Sequence, residues 1–169
     1  MEHTGILERA EVSTPITARP GINSAKPLVH SQLVTKESLD ALWPELVPLM
    51  EKAMEVWPGQ LSLEGLYKGI LSGHLSAFCT YRGENLRLIT ILCLVHYAGY
   101  SAARVILCAG EGLHEAAAAN IDALDAWALT QGAVEIEAWV RPVMQRYLQD
   151  YGYEYKAAIV SRNLRGKLQ

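Results

Sequence analysis

The residues with the clearest chemical potential sit together at Gly110-Glu111-Gly112. The apolar run Val105 to Ala109 ends in this glycine turn, and an alanine-rich helical pattern begins directly after it. A strand, a glycine turn and a helix N-terminus present free backbone N–H groups and the positive end of a helix dipole, an arrangement that holds phosphate. The turn also carries Glu111, with Glu115 in the first helical turn behind it. Two unit charges ~5 Å apart at an effective dielectric near 20 repel by ~3 kcal/mol. That offsets much of what one helix terminus contributes. The turn is a candidate anion site in conflict with its own side chains.

Other chemistry-bearing residues fit no established spacing. A dinucleotide fingerprint starting at Gly110 needs glycine at position 115 and meets Glu115. Ser72-Gly73-His74 lacks the strand-to-helix context of a nucleophile elbow. His74 and His114 have no partners at metal-ligand spacing, so no metal site is expected. Cys79, Cys93 and Cys108 lie in apolar runs without redox or metal spacing. They read as small buried hydrophobes in a reducing compartment. Trp43, Trp57, Trp127 and Trp139 read as core and groove packing.

The bulk composition sets the frame. With 169 residues, 50% of them hydrophobic and 20% charged, the chain is long enough for one domain with a real core. A net charge of −3 gives no general affinity for nucleic acid. No apolar run approaches the ~20 residues of a membrane span, and Glu2, Glu8 and Glu11 argue against a transit peptide. A soluble protein made in a cytoplasm is expected.

Around the turn, the pattern predicts the elements that must position it. Residues 1–28, with Gly5, Pro15, Pro20, Gly21 and Pro27, show no sustained period and read as an extended N-terminal arm. The main domain spans 29–162, and 163–169 form a basic C-terminal tail. Leu28 to Val34 is a short strand. Thr35 or Ser38 caps a helix with Leu39, Leu42, Leu46, Met50 and Ala53 on one face, kinked or split by Pro44 and Pro48 and ended by Pro58-Gly59. Ser62 caps a second helix that stops at Gly73. Leu75 to Tyr81, Leu86 to Tyr97 and Ala102 to Ala109 form an antiparallel meander, the first two joined at Arg82-Gly83-Glu84-Asn85. A helix follows Gly112, with Leu113, Ala117, Ile121, Leu124 and Ala128 as its apolar face and Gly132 as its stop. Val134 to Val140 is a strand, Arg141-Pro142 opens a helix ending at Gly152, and Tyr153 to Val160 is a last strand. The class is α+β (mixed α/β), in the order β-α-α-β-β-β-α-β-α-β.

That order resembles the GNAT fold of N-acetyltransferases: a central, mostly antiparallel sheet flanked by helices. The likeness covers roughly Leu28 to Arg162. It is similar above all to the GNAT-like proteins encoded by tailed bacteriophages. The matching features are Leu42-Trp43-Pro44 with Pro48, Ile70-Leu71-Ser72-Gly73, Ala109-Gly110-Glu111-Gly112, Leu124-Asp125-Ala126-Trp127-Ala128, Gly132-Ala133, Val140-Arg141-Pro142 and Tyr151-Gly152-Tyr153. Active members hold the acetyl-coenzyme A pyrophosphate with a loop Gln/Arg-x-x-Gly-x-Gly/Ala. That frame falls on Leu107 to Gly112, so Gly110 and Gly112 match and Leu107 replaces the Gln or Arg. The resemblance also implies a tyrosine four residues before the Gly-aromatic pair, which protonates the departing thiolate. Counting back from Gly152 gives Leu148, with Tyr147 one residue away and ~100° around the helix. Arg141 stands where the family often has Asn. A carboxylate base near the fourth or fifth strand would be Glu135 or Glu137, with His96 as a further candidate. The alternation of Val134 to Val140 reads both acids more simply as a solvent face.

These departures set the expectations. The leading one is a catalytically degenerate GNAT-fold protein acting as a structural or assembly component of a phage particle, near portal, tail or internal proteins. It would need no cofactor, and the arm 1–28 and the C-terminal end would tether it to other subunits. Its place would be the host cytoplasm when made and the virion afterwards. The alternative is an acetyl-CoA-dependent N-acetyltransferase acting on an amine. Gly110, Gly112 and Leu113 would then bind the cofactor, Tyr147 would be the acid, and Glu135 or Glu137 the base. A third reading is a coenzyme A or small-ligand binding module without chemistry.

Overall fold

The computed structural model describes residues 28–55 and 60–157. Their order is β1 (Val29–Leu33), α1 (Lys36–Met54), α2 (Leu63–Ser72), β2 (Ser76–Arg82), β3 (Asn85–His96), β4 (Ser101–Gly110), α3 (Leu113–Thr130), β5 (Glu135–Ala138) and α4 (Pro142–Gln149). The five strands form one sheet in sequence order. β1 to β4 are antiparallel, and β5 joins β4 in parallel after the α3 crossover. None of the described helices is long and apolar enough to cross a membrane.

Local chemistry explains the boundaries. The Thr35 side chain accepts from the Ser38 N–H, and Ser38 reaches back to the Thr35 N–H, closing a capping box at the start of α1. Ser62 Oγ accepts from Gly65 N at 3.1 Å to start α2, and Gly73 ends it in the left-handed conformation. Gly83-Glu84 makes the two-residue turn between β2 and β3.

Contrary to the expected split, α1 runs through Pro44 and Pro48 as one helix. Each proline removes one backbone donor, leaving the carbonyls of Asp40 and Pro44 without their helical partners. Both residues are exposed, so water can hydrate those carbonyls. On the other side, Leu39, Leu46 and Met50 are fully buried. At ~1.5–3 kcal/mol per buried side chain, this burial outweighs the proline cost.

The sheet is covered on both sides. α1 and α2 pack on Ala77, Cys79, Ile89 and Ile91, while α3 packs on Phe78, Leu92 and Ala103 through Leu124 and Ala128. The α3 face is rotated from the expected one. Ala116 and Asn120 are buried with Ala117, Leu124 and Ala128. Cys79 is buried as expected, but Cys93 is half-buried and Cys108 exposed, the latter lying past the last β4–β5 pair. Trp127 meets Phe78 edge-on, whereas Trp139 is exposed and stacks on the Arg104 guanidinium. Trp57 and Pro58-Gly59 lie outside the described residues.

The expected last strand is corrected over its described part. Tyr153 to Ala157 carry no strand, and 158–160 lie outside the described residues. Two contacts account for this. The Tyr153 N–H turns back to the Leu148 carbonyl at 3.1 Å. Lys156 then reaches Glu135 on β5 through its side chain, so the segment runs beside the strand without joining its ladder.

Candidate functional site

Two β-bulges shape the region around the glycine turn. Between β2 and β3 the pairing steps from Thr80↔Leu88 to Tyr81↔Leu86, making Arg87 the extra residue. Between β3 and β4 it steps from Ile91↔Leu107 to Leu92↔Val105, making Ile106 the extra residue. Bulges bend a strand and re-aim side chains. The Ile106 bulge coincides with the end of β4–β5 pairing, whose last partners are Val105 and Ala138. β5 itself ends at that pair. Ile106 to Gly110 then present a strand edge that β5 does not cover.

The turn is built around Arg87. Gly110 has φ +136°, and an added Cβ would lie 2.0 Å from the Arg87 carbonyl oxygen. That oxygen accepts the Glu111 N–H at 2.8 Å. Gly112 is the left-handed N-cap of α3 and supplies no side-chain cap. A Cβ on it would meet Arg87 Nη2 at 2.8 Å. Arg87 Nε is buried and has no hydrogen-bond partner among the described residues. The two acids of the turn are engaged elsewhere. Glu111 faces Lys52 at the end of α1, 3.7 Å away, and Glu115 pairs with Arg82. The Glu111 pair is long and solvent-exposed, so it offsets only part of the charge conflict at the turn.

α4 brings Tyr147 to the same place. Its hydroxyl donates to the carbonyl of Leu113, the first residue of α3, at 3.3 Å and lies 3.2 Å from the Tyr151 hydroxyl. The His114 ring packs edge-on against it. Burial, reinforced by the Tyr151 hydrogen bond, pushes the Tyr147 phenol well above its ordinary value. Burial also pushes the Tyr153 phenol up to about 12.

The other candidates lie along the root of the β4–β5 pair. Glu137 accepts from Arg104 Nε at 2.9 Å and from the Tyr97 hydroxyl at 3.0 Å. Glu135 pairs with Lys156, whose hydrogen bond holds the carboxyl below its ordinary value. Neither acid is a free carboxylate. His96 bonds Ser101 at 2.8 Å, at the end of β4 away from Gly110. Among the described residues no group of three His, Cys, Asp or Glu is gathered for a metal.

Arg87 and Asn120 are the residues that the sequence reading missed. Arg87 is the only Lys, Arg, Asp or Glu between Leu86 and Tyr97. A lone charge in an apolar strand was the available signal. Asn120 sits in an alanine-rich helix, where an amide passes for a surface residue.

No protein-family model and no curated protein match the chain. Solved structures do. Aminoglycoside N-acetyltransferase AAC(6')-Iy in complex with CoA superposes with a TM-score of 0.63 at 16% identity, over 85% of this chain and 99% of that one. An aminoglycoside acetyltransferase from an uncultured soil metagenomic sample gives 0.64 at 13% identity, over 80% and 98%. A Trypanosoma brucei acetyltransferase gives 0.57 at 10% identity, over 80% and 99%. At these identities the likeness shows the fold. Over the described residues the chain has an α+β GNAT-like architecture, a five-stranded mixed sheet flanked by four helices.

Proposed function

We propose that this protein is an acetyl-CoA-dependent N-acetyltransferase acting on an amine substrate. The observation that carries the reading is the edge of β4 that β5 leaves uncovered past the Ile106 bulge, directly before the glycine turn. The uncovered edge of β4 offers backbone N–H and C=O groups to an extended ligand. The turn at its end offers the first amides of α3 to that ligand's phosphates. The residues fit the cofactor. Gly110, Gly112 and Leu113 supply backbone donors, a Cβ at Gly112 would intrude on the cradle, and Arg87 holds an orphaned buried nitrogen beside it. Acetyl-CoA, when bound, supplies an activated thioester whose coenzyme leaves as a thiolate.

Tyr147 holds a proton at its hydroxyl beside the start of α3. Its raised pKa keeps that proton in place at neutral pH. Delivery to a thiolate of ordinary pKa near 8.5 is then uphill, so Tyr147 acts as a donor only with the thiolate hydrogen-bonded to it. Tyr147→Phe keeps the ring and removes the proton. Its kcat is expected to fall by ~10²-fold, with KM for acetyl-CoA within a few-fold of wild type, measured by thiol release with an amine acceptor. Glu135 and Glu137, held in ion pairs, contribute charge balance at the strand root.

The reading stands or falls on binding. Millimolar acetyl-CoA is expected to raise the melting temperature and to give heat in calorimetry; the absence of both sinks it. The particle-component reading rests on the departures at Leu107 and Leu148 and on the arm and tail, of which 1–27 and 158–169 lie outside the described residues.

A further inference from the structure

We propose that Arg87 is the phosphate-binding cation of the glycine turn, delivered from β3 by a bulge in place of the Gln or Arg that the family loop carries where this chain has Leu107. The inference takes its ligand, the diphosphate of coenzyme A, from the reading above. The charge argument is independent of it.

Arg87 and the start of α3 are two positive centres placed together. The guanidinium lies against Gly112, with Nη2 2.8 Å and Nε 3.3 Å from where a Cβ would be. Gly112 caps α3 without a side-chain acceptor, so no capping side chain takes the first amides of the helix, and the one acid of its first turn, Glu115, is paired with Arg82. A buried guanidinium nitrogen without an acceptor is costly. Among the described residues Arg87 forms no ion pair. Of the nearby carboxylates, Glu115 is paired with Arg82, and Glu111 extends into solvent toward Lys52. What satisfies both centres at once is an anion with several oxygens.

The bulge is what makes this possible. In regular β3 pairing, residue 87 would take its place in the ladder; as the extra residue it turns its fork to the turn while its carbonyl receives the Glu111 N–H. Arg87 also lines, with Arg82, Gly83 and Asn85, a shallow cavity of about 300 Å³ beside the β2–β3 turn. A planar fork suits bidentate contact with phosphate oxygens, which a lysine does not reproduce. The ligand class is a diphosphate, either esterified in coenzyme A or free.

Calorimetry on the full chain, with coenzyme A, inorganic pyrophosphate and phosphate-free pantetheine as probes, tests the assignment. Arg87→Met is expected to weaken coenzyme A and pyrophosphate by about 10- to 100-fold and to leave pantetheine unchanged. Without ligand, this variant should melt at or above the wild-type temperature, because an uncompensated charge has been removed. Arg87→Lys, which keeps charge and fold, should lose several-fold in affinity for both phosphate ligands. Coenzyme A affinity within two-fold of wild type in both variants overturns the assignment and leaves acetyl-CoA binding intact. Wild-type binding of pyrophosphate without coenzyme A, lost in Arg87→Met, keeps Arg87 as the cation and removes the acetyltransferase reading. Wild-type binding of neither overturns both.

Discussion

Gly110→Ala should lower stability by at least about 4 kcal/mol, the sum of two costs. Alanine at φ +136° is strained by itself, at about 1–3 kcal/mol. Its methyl would also sit 2.0 Å from the Arg87 carbonyl oxygen, a backbone atom held in the β3 bulge. Relief requires opening the β3–β4 ladder or losing the Glu111 N–H bond to that same oxygen. At roughly 2–4 °C per kcal/mol for a chain of this size, the melting temperature should drop by about 8–16 °C. Urea unfolding measures the same loss. An effect under ~1 kcal/mol would show that the turn is not locked to β3. Gly112→Ala is the milder comparison, since the atom it meets is the end of a flexible side chain.

Asn120→Ala should cost about 3 kcal/mol through a different mechanism. Asn120 Nδ2 donates to Thr80 Oγ1 at 3.0 Å, and Thr90 Oγ1 donates to Asn120 Oδ1 at 3.1 Å. Thr80 continues the chain to Ser31 on β1 at 3.0 Å. All three of Asn120, Thr80 and Thr90 are buried between α3 and the sheet. Alanine at 120 leaves two buried hydroxyls without the amide and opens a small void. Equilibrium denaturation of the single variant should show this loss. The triple variant Thr80→Val, Thr90→Val, Asn120→Leu should recover most of it, because it removes the polar groups together with their partners. If the triple variant is as unstable as the single one, packing at position 120, not hydrogen bonding, carries the cost.

Much of the fold was legible because its signals are local. The Thr35 and Ser62 caps, the Gly73 stop, the Gly83-Glu84 turn and the two helix-opening features at Gly112 and Pro142 each act within a few residues of themselves. The misses share the opposite property. Pro44 and Pro48 looked like breaks because the burial of Leu46 and Met50 against the sheet is invisible in the helix's own sequence. The bulges at Arg87 and Ile106 are properties of pairing between strands, not of either strand alone. That Lys52 comes near Glu111 is likewise invisible in the turn's own sequence, because it stands at the end of a helix far away in the chain. Tyr153 to Val160 carried an aromatic, apolar pattern suited to a strand. The described part is instead tied down by the Leu148 carbonyl and by Glu135. The candidate site was legible as a glycine turn and a nearby tyrosine; its positive charge was not, because it arrives from another strand.

The crossover to β5 gives the molecule a building order. β2, β3 and β4 follow one another through short turns, so their contacts form at low loop-closure cost. β5 is four residues long and reaches β4 only after the whole of α3 has been laid down. β1 likewise pairs with β2 only across α1 and α2, so both outer strands close at a higher loop cost than the central meander. A molecule bound along the edge of β4 beyond β5 would therefore add contacts at one of these outer seams and stabilise the folded sheet by mass action.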